Sequence, residues 1–507
     1  MILAKLNKPN FEYDIHSLMK AFYPEEYVSA TAEERTYEEP VTSEMTIDYL
    51  EKSICIHWED KKLHREFEVD FSDRKETKNI LKENLYDMLA EAKGEKLPWG
   101  TLTGIRPTKI PLKLLEEGKT RDEIRAYMKK TYLASDEKID LSMDIVEREY
   151  KVLQKLDYEN GYSLYIGIPF CPTTCLYCSF TSYPLFSWKK QVDAYLDALE
   201  KEIDFVATKF YHKKLNTIYI GGGTPTTLEP YQLDRLIRKI KCSFDLSHCL
   251  EFTVEAGRPD SITREKLEVL RKWGITRISI NPQTMKDETL RFIGRHHTVA
   301  QTVESFRLAR ELGFDDINMD LIMGLPEETL EDVKNTMEQI KELKPDNLTV
   351  HSLALKRAAR LNIYKDDYKN YRMVNTKEHM DLVAGYAKEM GLEPYYLYRQ
   401  KSMAGNLENV GYATPGKAGI YNILIMEEKQ TIMALGAGAS TKLVIPDSEV
   451  VRRRQIEEEA AKKEGRNPEE VKNIYRVETV KDVKTYMERL DDMIERKRKT
   501  MEEISWH

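Results

Sequence analysis

From residue 163 onward the chain repeats one pattern: a short apolar run rich in β-branched residues, then an amphipathic segment at helical spacing. The runs are SLYIGI (163–168), TIYIG (217–221), EFTVEA (251–256), TRISIN (276–281), DINMDLIM (316–323) and DNLTVHS (346–352). Strands this uniformly apolar suit burial on both faces, the condition of a parallel sheet. Segments between them, such as ITREKLEVLRKW before Gly274 and VAQTVESFRLAREL before Gly313, end in the glycine that closes a helix. Six strand–helix units in series predict an α/β fold built on an open or closed parallel barrel.

What flanks this core reads differently. KSICIHW (52–58) and HREFEVDF (64–71) alternate apolar and polar residues across a short polar stretch, as a hairpin does. Ile80, Leu81, Leu85, Met88 and Leu89 predict a helix within 73–95, and further helical stretches are expected over 110–133 and 136–155. A chain of 507 residues exceeds what one core usually serves. The expected division is an N-terminal α+β domain of unassigned role over 1–155, the barrel over 156–360, and a C-terminal mixed and charged helical region over 361–507. In that last region GIYNILIM (419–426) and TIMALGAGAST (431–441) are expected to add strands or cover the barrel. The final stretch, including RRRQIEEEAAKKEGR, is expected as solvated helices.

Composition narrows the partners. A net charge of −8 argues against a general nucleic-acid binder while allowing a local basic pocket for an acidic ligand. No apolar run approaches the ~20 residues of a membrane span. The N-terminal MILAKLNKPNFEYD lacks an apolar signal region, so secretion is not expected and the setting is read as cytoplasmic.

Three of the six cysteines lie together in Ile168-Pro169-Phe170-Cys171-Pro172-Thr173-Thr174-Cys175-Leu176-Tyr177-Cys178, which points to metal rather than disulfides. Cys55, Cys242 and Cys249 are expected as buried thiols acting as small hydrophobes. Two metal readings stand for the trio. Structural zinc would need a fourth ligand, for which His212 or His296 is available. An iron–sulfur cluster on three thiolates would instead leave one iron open to an exogenous ligand.

The remaining polar candidates fall at the C-terminal ends of the predicted strands, where parallel α/β barrels assemble their active sites. Gly221-Gly222-Gly223-Thr224-Pro225-Thr226 follows the second strand, Glu255 ends the third and Gln283 follows the fourth. Asp320 lies within the fifth strand and Ala354 follows the sixth. A triple glycine lets the backbone approach a small ligand, Glu255 and Asp320 can accept from an ammonium or ribose hydroxyls, and Arg295 can donate to a carboxylate.

CxxxCxxC after a strand, with an aromatic residue before the last cysteine, resembles the radical S-adenosylmethionine (SAM) superfamily. GIPFCPTTCLYCSF, YIGGGTPTTL, INPQTMKDETLRFIGR and NMDLIMGLPEET further resemble, over roughly 163–355, the oxygen-independent coproporphyrinogen III oxidase family. YLYRQKSMAGNLENVGYA and the long N-terminal extension are most similar to its HemZ-type branch, coproporphyrinogen dehydrogenase. The resemblance implies a partial (β/α)6 radical SAM barrel, with a [4Fe–4S] cluster on Cys171, Cys175 and Cys178 and SAM at the open iron. By matching position it implies that Tyr165, Gly222 and Glu255 contact that SAM. Tyr177, Gly223, Thr224, Gln283, Arg295, Asp320 and Ala354 match positions used for SAM or a second molecule of it. Tyr165, Glu255 and Arg295 are the residues expected nearest the chemistry.

The activity so implied starts when the reduced cluster passes an electron to SAM, giving methionine and a 5′-deoxyadenosyl radical. That radical takes a hydrogen atom from a propionate of coproporphyrinogen III, and loss of CO₂ and one electron leaves a vinyl group, towards protoporphyrinogen IX. A tetrapyrrole substrate, an electron donor such as a flavodoxin or ferredoxin, an oxygen-poor cytoplasm and a monomeric state are the partners and setting implied. Arg357, Arg360 and Arg399 are candidates for the substrate's cationic clamp. Two departures keep other readings open: Phe180 stands where the oxidase proper has a further cysteine, and Tyr421-Asn422-Ile423 stands where a haem-carrying branch has HNxxYW. A haem carrier without decarboxylation, and a methyl-transferring radical SAM enzyme acting on haem, are the alternatives.

Overall fold

The structure, a computed structural model, describes every residue except 25, 38, 105, 355–358, 365–367, 369–370, 401–406 and 505–507, so the Arg357 candidate lies outside the described residues. Two compact units form: Met1–Tyr150 with Leu397–Glu408, and Lys151–Tyr396 with Asn409–His507. Residues after 361 are therefore divided between the two units rather than forming a region of their own.

The first unit is an α+β layer pair. Strands β1 (Ile2–Leu6), β2 (Val28–Thr31), β3 (Ser43–Tyr49), β4 (Ser53–Trp58) and β5 (Leu63–Glu68) form one sheet in the order β2-β1-β3-β4-β5. The expected hairpin is β4–β5, antiparallel with Cys55 opposite Glu66. Ile54, Ile56 and Trp58 alternate onto the core with Leu81, Leu85 and Leu89 of helix Arg74–Lys93. That alternation turns Cys55 to the outer face, so it is not the buried thiol expected; Cys249 is also only half-buried, and Cys242 is exposed. The predicted 110–133 helix is two helices, Lys109–Glu116 and Arg121–Tyr132, because Thr120 and Glu123 form a capping box that starts the second afresh. Helix Asp136–Leu153 follows as expected.

The second unit holds the barrel strands β6 (Gly161–Ile168), β9 (Lys214–Gly222), β10 (Glu251–Gly257), β11 (Arg277–Ile280), β12 (Ile317–Met323) and β13 (Asn347–Ser352). A two-residue pair, β7 (Phe170–Cys171) and β8 (Tyr183–Pro184), sits between the first two of these in sequence. All six neighbours are parallel and in sequence order, and β6 and β11 are buried along nearly their whole length, as their apolar composition requires. Capping boxes at Glu229/Gln232, Thr298/Gln301 and Thr329/Asp332 start the intervening helices.

Five further strands extend the sheet: β14 (Glu393–Tyr398), β15 (Asn409–Ala413), β16 (Thr431–Leu435), β17 (Ser440–Val444) and β18 (Ile474–Glu478). The order is β14-β15-β13-β12-β11-β10-β9-β6-β16-β17-β18, an open sheet with β16 parallel to β6 as a seventh parallel strand. TIMALGAGAST thus supplies strands, whereas GIYNILIM folds as helix Ile420–Glu427. Helix Asp447–Glu464 is the exposed charged helix expected. The last helix, Leu490–Glu503, departs from the solvated expectation: its Lys497 is 1 % exposed and paired at 2.5 Å with Glu202, itself 0 % exposed. Among the described residues no helix is long and apolar enough to cross a membrane.

Candidate functional site

β6 delivers the cysteine loop to the C-terminal face of the parallel sheet, and the β7–β8 ladder brings the loop back to where it left. The glycine turn after β9 is laced to the loop's start: the Gly223 N–H donates to Ile168 O and the Thr224 N–H to Phe170 O, both at 2.7 Å. A Cβ at 223 would lie 2.6 Å from Phe170 O and 3.0 Å from Cys171 Sγ, so only glycine permits this approach. The Thr224 hydroxyl donates to Cys171 Sγ at 3.5 Å. At the far side, the Thr173 hydroxyl donates to Gly294 O at 2.8 Å and the Leu176 N–H to Ile293 O at 3.0 Å.

Cys171 and Cys175 are buried and Cys178 is half-buried. Burial pushes the Cys171 thiol up to about 12, against the pull of the Thr224 hydrogen bond and the Arg258 charge. Burial raises Cys178 as well, with Arg295 acting in the opposite sense. Arg258 Nη1 donates to Thr173 Oγ1 at 2.6 Å and lies 3.9 Å from Cys175 Sγ, while its other nitrogens clasp Asp260. Thiols so enclosed become good thiolate donors once a bound metal's charge compensates them.

Among the described residues no group of three or more His, Cys, Asp or Glu gathers round one point as a single ion requires. A cuboidal cluster takes each thiolate at a different iron, whereas zinc takes all its donors at one point. His212 and His296, the fourth-ligand candidates, are both exposed.

A second wall comes from adjacent strands. The Tyr219 hydroxyl donates to Glu255 Oε1 at 2.6 Å. The rings of Tyr165, Tyr219 and Tyr421 stack, with centroids 6.2 Å apart for the first pair and 4.5 Å for the second. Gly222, at φ 108°, sits so close that a Cβ there would meet the Tyr165 hydroxyl at 3.4 Å. Burial raises Glu255 from 4.5 to about 7; the nearby Asp320 charge adds to this, and the Tyr219 hydroxyl and Gly222 N–H oppose it.

The third wall holds Arg295. Its Nη2 donates to the Tyr177 hydroxyl at 3.1 Å and its Nη1 to Asn281 O, which pins it between the cysteine loop and the end of β11. Arg295 Nε and Asn281 Oδ1 are buried with no hydrogen-bond partner among the described residues. Such an orphaned guanidinium nitrogen suits the carboxylate of a ligand. Gln283, in the left-handed region at φ 71°, is held by its N–H donating to Asp320 O at 2.9 Å, and Asn318 Nδ2 donates to Asp320 Oδ1 at 2.7 Å. Ala354 follows Leu353, which packs with Ile322 and Leu325 in the cluster that Tyr177 borders.

The structure thus sets Tyr165, Gly222 and Glu255 in one group, and Cys171 with Gly223 and Thr224 in a second. Tyr177 with Arg295 and Gln283 with Asp320 complete the same strand-end face. Sequence reasoning missed Arg258, Tyr219 and His297, and named Tyr421 only as the start of the stretch standing where a haem-carrying branch has HNxxYW. Arg258 directly follows β10 in the segment Gly257-Arg258-Pro259-Asp260, so the strand-end rule that selected Glu255 could have found it. His297 is buried with both ring nitrogens unpartnered among the described residues, and burial beside Arg295 and Arg258 holds it down to about 3, a neutral imidazole. Phe180, at the departure from the oxidase pattern, is 72 % exposed. Asn422 donates to the Tyr395 hydroxyl at 2.9 Å and Tyr421 is buried, so the HNxxYW-equivalent stretch is used internally.

A family model described as the radical SAM superfamily matches residues 165–340. The oxygen-independent coproporphyrinogen-III oxidase-like protein HemZ of Bacillus subtilis is 44% identical over 389 residues, 75% of this chain and 78% of the relative. The heme chaperone HemW of the same organism is 43% identical over 195 residues, 38% of this chain, which spans 50% of that relative's length. Among solved structures, the coproporphyrinogen III oxidase HemN from Escherichia coli, a radical SAM enzyme, aligns with a TM-score of 0.51 at 23% identity, covering 68% of this chain and 72% of that one. That likeness carries the fold.

Proposed function

We propose, from the premise that this chain belongs to the radical SAM family of oxygen-independent coproporphyrinogen-III oxidase-like proteins, that it converts propionates of coproporphyrinogen III to vinyl groups with loss of CO₂. The observation that carries the reading is the buried, orphaned Arg295 Nε beside a three-cysteine loop and a glycine cradle. These residues fit a [4Fe–4S] cluster on Cys171, Cys175 and Cys178 with SAM beside it. When bound, the pair supplies a carbon radical able to take hydrogen from an unactivated C–H bond.

The chain's own tasks follow from the geometry. Arg295 is the donor for the SAM carboxylate, and Glu255, steadied by Tyr219, is the acceptor for its ammonium. Gly222 and Gly223 admit the ligand to the backbone, and Tyr165, Tyr177, Thr224, Gln283, Asp320 and Ala354 shape its walls. Arg258 compensates the thiolate of Cys175. Phe170 and Leu176 are buried beside the cysteines, so charges there are felt strongly. An oxygen-sensitive cluster that needs one-electron reduction would suit an oxygen-poor cytoplasm with a flavodoxin- or ferredoxin-type donor.

A haem-carrier reading draws on the similarity to HemW, and the internal use of Tyr421 and Asn422 weighs against it. The two are separated by one assay: anaerobic reconstitution, then SAM, reductant and coproporphyrinogen III, with CO₂ and vinyl product measured. Production of both supports decarboxylation. SAM cleavage without either product, accompanied by tight haem binding, gives the carrier reading instead.

A further inference from the structure

Within the second unit, Arg258 is fixed by the protein itself. Gly257, at φ 66°, turns the chain out of β10, and a Cβ there would meet the Thr224 methyl at 3.2 Å. Arg258 follows, and the Ser261 N–H and hydroxyl hold its carbonyl at 3.0 and 2.8 Å. Its side chain is 3 % exposed. Nε and Nη2 donate to the two oxygens of Asp260 at 3.0 and 2.6 Å. Nη1 donates to Thr173 O at 3.0 Å and Thr173 Oγ1 at 2.6 Å, and faces Cys175 Sγ from 3.9 Å. A fork held on both edges has one orientation, with a nitrogen aimed at the cysteine loop.

The ion pair is asymmetric. Arg258 meets the loop on its dry side, whereas Asp260, on the other edge of the guanidinium, has a side chain 17 % exposed. Water screens the anion more than the cation, so the field at the sulfurs is positive. Cys171 takes a neutral hydroxyl directly, from Thr224 at 3.5 Å, yet the Arg258 charge acts on it as well, against burial. Arg295 is the other guanidinium turned towards Cys175, but its unpartnered Nε is given above to a ligand carboxylate, which would offset its charge. The nitrogens of Arg258 are engaged by Asp260 and Thr173, so its charge stays at the loop whether or not a ligand is there.

We propose that Arg258 sets the reduction potential of the cluster held by Cys171, Cys175 and Cys178, raising it towards the reach of the one-electron donor. The inference rests on the cluster reading above and holds whichever tetrapyrrole is the substrate. Reduction adds one electron, supplied by the flavodoxin- or ferredoxin-type donor, and no bond forms or breaks. It adds one negative charge beside a fixed cation, which favours the reduced form and moves the potential upward. Cluster potentials respond in this way to net charge and to hydrogen bonds at the sulfurs. Asp260 acts in the opposite sense: it orients the guanidinium and cancels part of its charge.

The test is a potentiometric titration of the anaerobically reconstituted full chain without SAM, followed by the electron paramagnetic resonance of the reduced cluster and normalised to bound iron. Arg258→Gln should move the midpoint to more negative potential by about 59 mV or more, the one-electron equivalent of a tenfold change. Arg258→Lys, which keeps the charge, should recover at least half of that shift. Asp260→Asn should move the midpoint the other way, because the cation loses its counter-charge and keeps an acceptor. A residue that only braced the loop would change iron content without driving the midpoint in opposite directions. If Arg258→Gln holds no iron, Asp260→Asn decides alone. A midpoint at or above wild type in Arg258→Gln, or at or below it in Asp260→Asn, overturns the proposal and leaves the cluster reading standing. A wild-type chain that takes up no iron overturns both.

Discussion

Glu255 is held in its charged form at a cost, and Glu255→Gln measures it. The folded protein raises this carboxyl from 4.5 to about 7. At about 1.4 kcal/mol for each tenfold change in proton affinity, the charged side chain costs the ligand-free fold about 3 kcal/mol above neutral pH. The sign follows from proton binding. Between 4.5 and about 7 the folded state holds the proton more tightly than the unfolded state, so stability is greatest below 4.5 and falls as pH rises to about 7. Glutamine keeps the shape and can still accept from Tyr219, but it has no proton to lose. Part of the Glu255 side chain remains accessible and the Tyr219 bond weakens with the charge, so about 3 kcal/mol is an upper bound. Thermal melts of the ligand-free proteins should show Glu255→Gln more stable than wild type at pH 8 and nearly equal to it at pH 4.5. SAM affinity, read by equilibrium dialysis on the reconstituted protein, should fall at least tenfold because the ammonium loses its carboxylate. A variant less stable than wild type at pH 8, with the same pH slope, would refute the reasoning.

Other substitutions probe the remaining walls. Cys175→Ala should abolish the brown colour and bound iron after reconstitution while far-ultraviolet circular dichroism is unchanged; retained colour would count against the three-thiolate assignment. Gly223→Ala drives a methyl against Phe170 O and Cys171 Sγ, and the cysteine loop must shift, so iron content should drop well below wild type in parallel iron assays. Arg258→Lys keeps the charge but cannot clasp Asp260 and reach Thr173 together, and a smaller loss of iron than in Arg258→Ala is expected. Lys497→Ala leaves Glu202 buried without its cation and should cost about 3–5 kcal/mol in urea unfolding, whereas an exposed tail would show almost none.

What the sequence disclosed and what it withheld divide along one physical line. Each of the six barrel strands announces itself because burial on both faces leaves no room for polar residues, and that is a local property of each run. GIYNILIM shows the limit of the same argument: an apolar run of that length fits a buried strand or a buried helix, and only its packing, with Tyr421 stacked on Tyr219, selects the helix. Lys497 and Glu202 each look solvated in their own segments, and become a buried pair only when the last helix meets Val192–Lys209.

The candidate site obeys the same rule. The lack of a fourth neighbouring cysteine is visible in the spacing of Cys171, Cys175 and Cys178, since three thiols on one short loop need no fold to be counted. What makes those thiols usable is not visible, because the compensating charges arrive from elsewhere: Arg258 from the end of β10 and Arg295 from beyond β11, both turned towards Cys175. A chain with the cysteine spacing but neither arginine would hold Cys171 and Cys178 without the positive charges that oppose the upward push of burial on their thiols. The resemblance carried by the motif therefore proposes which atoms would hold a cluster, and the charges at the strand ends bear on how readily they could.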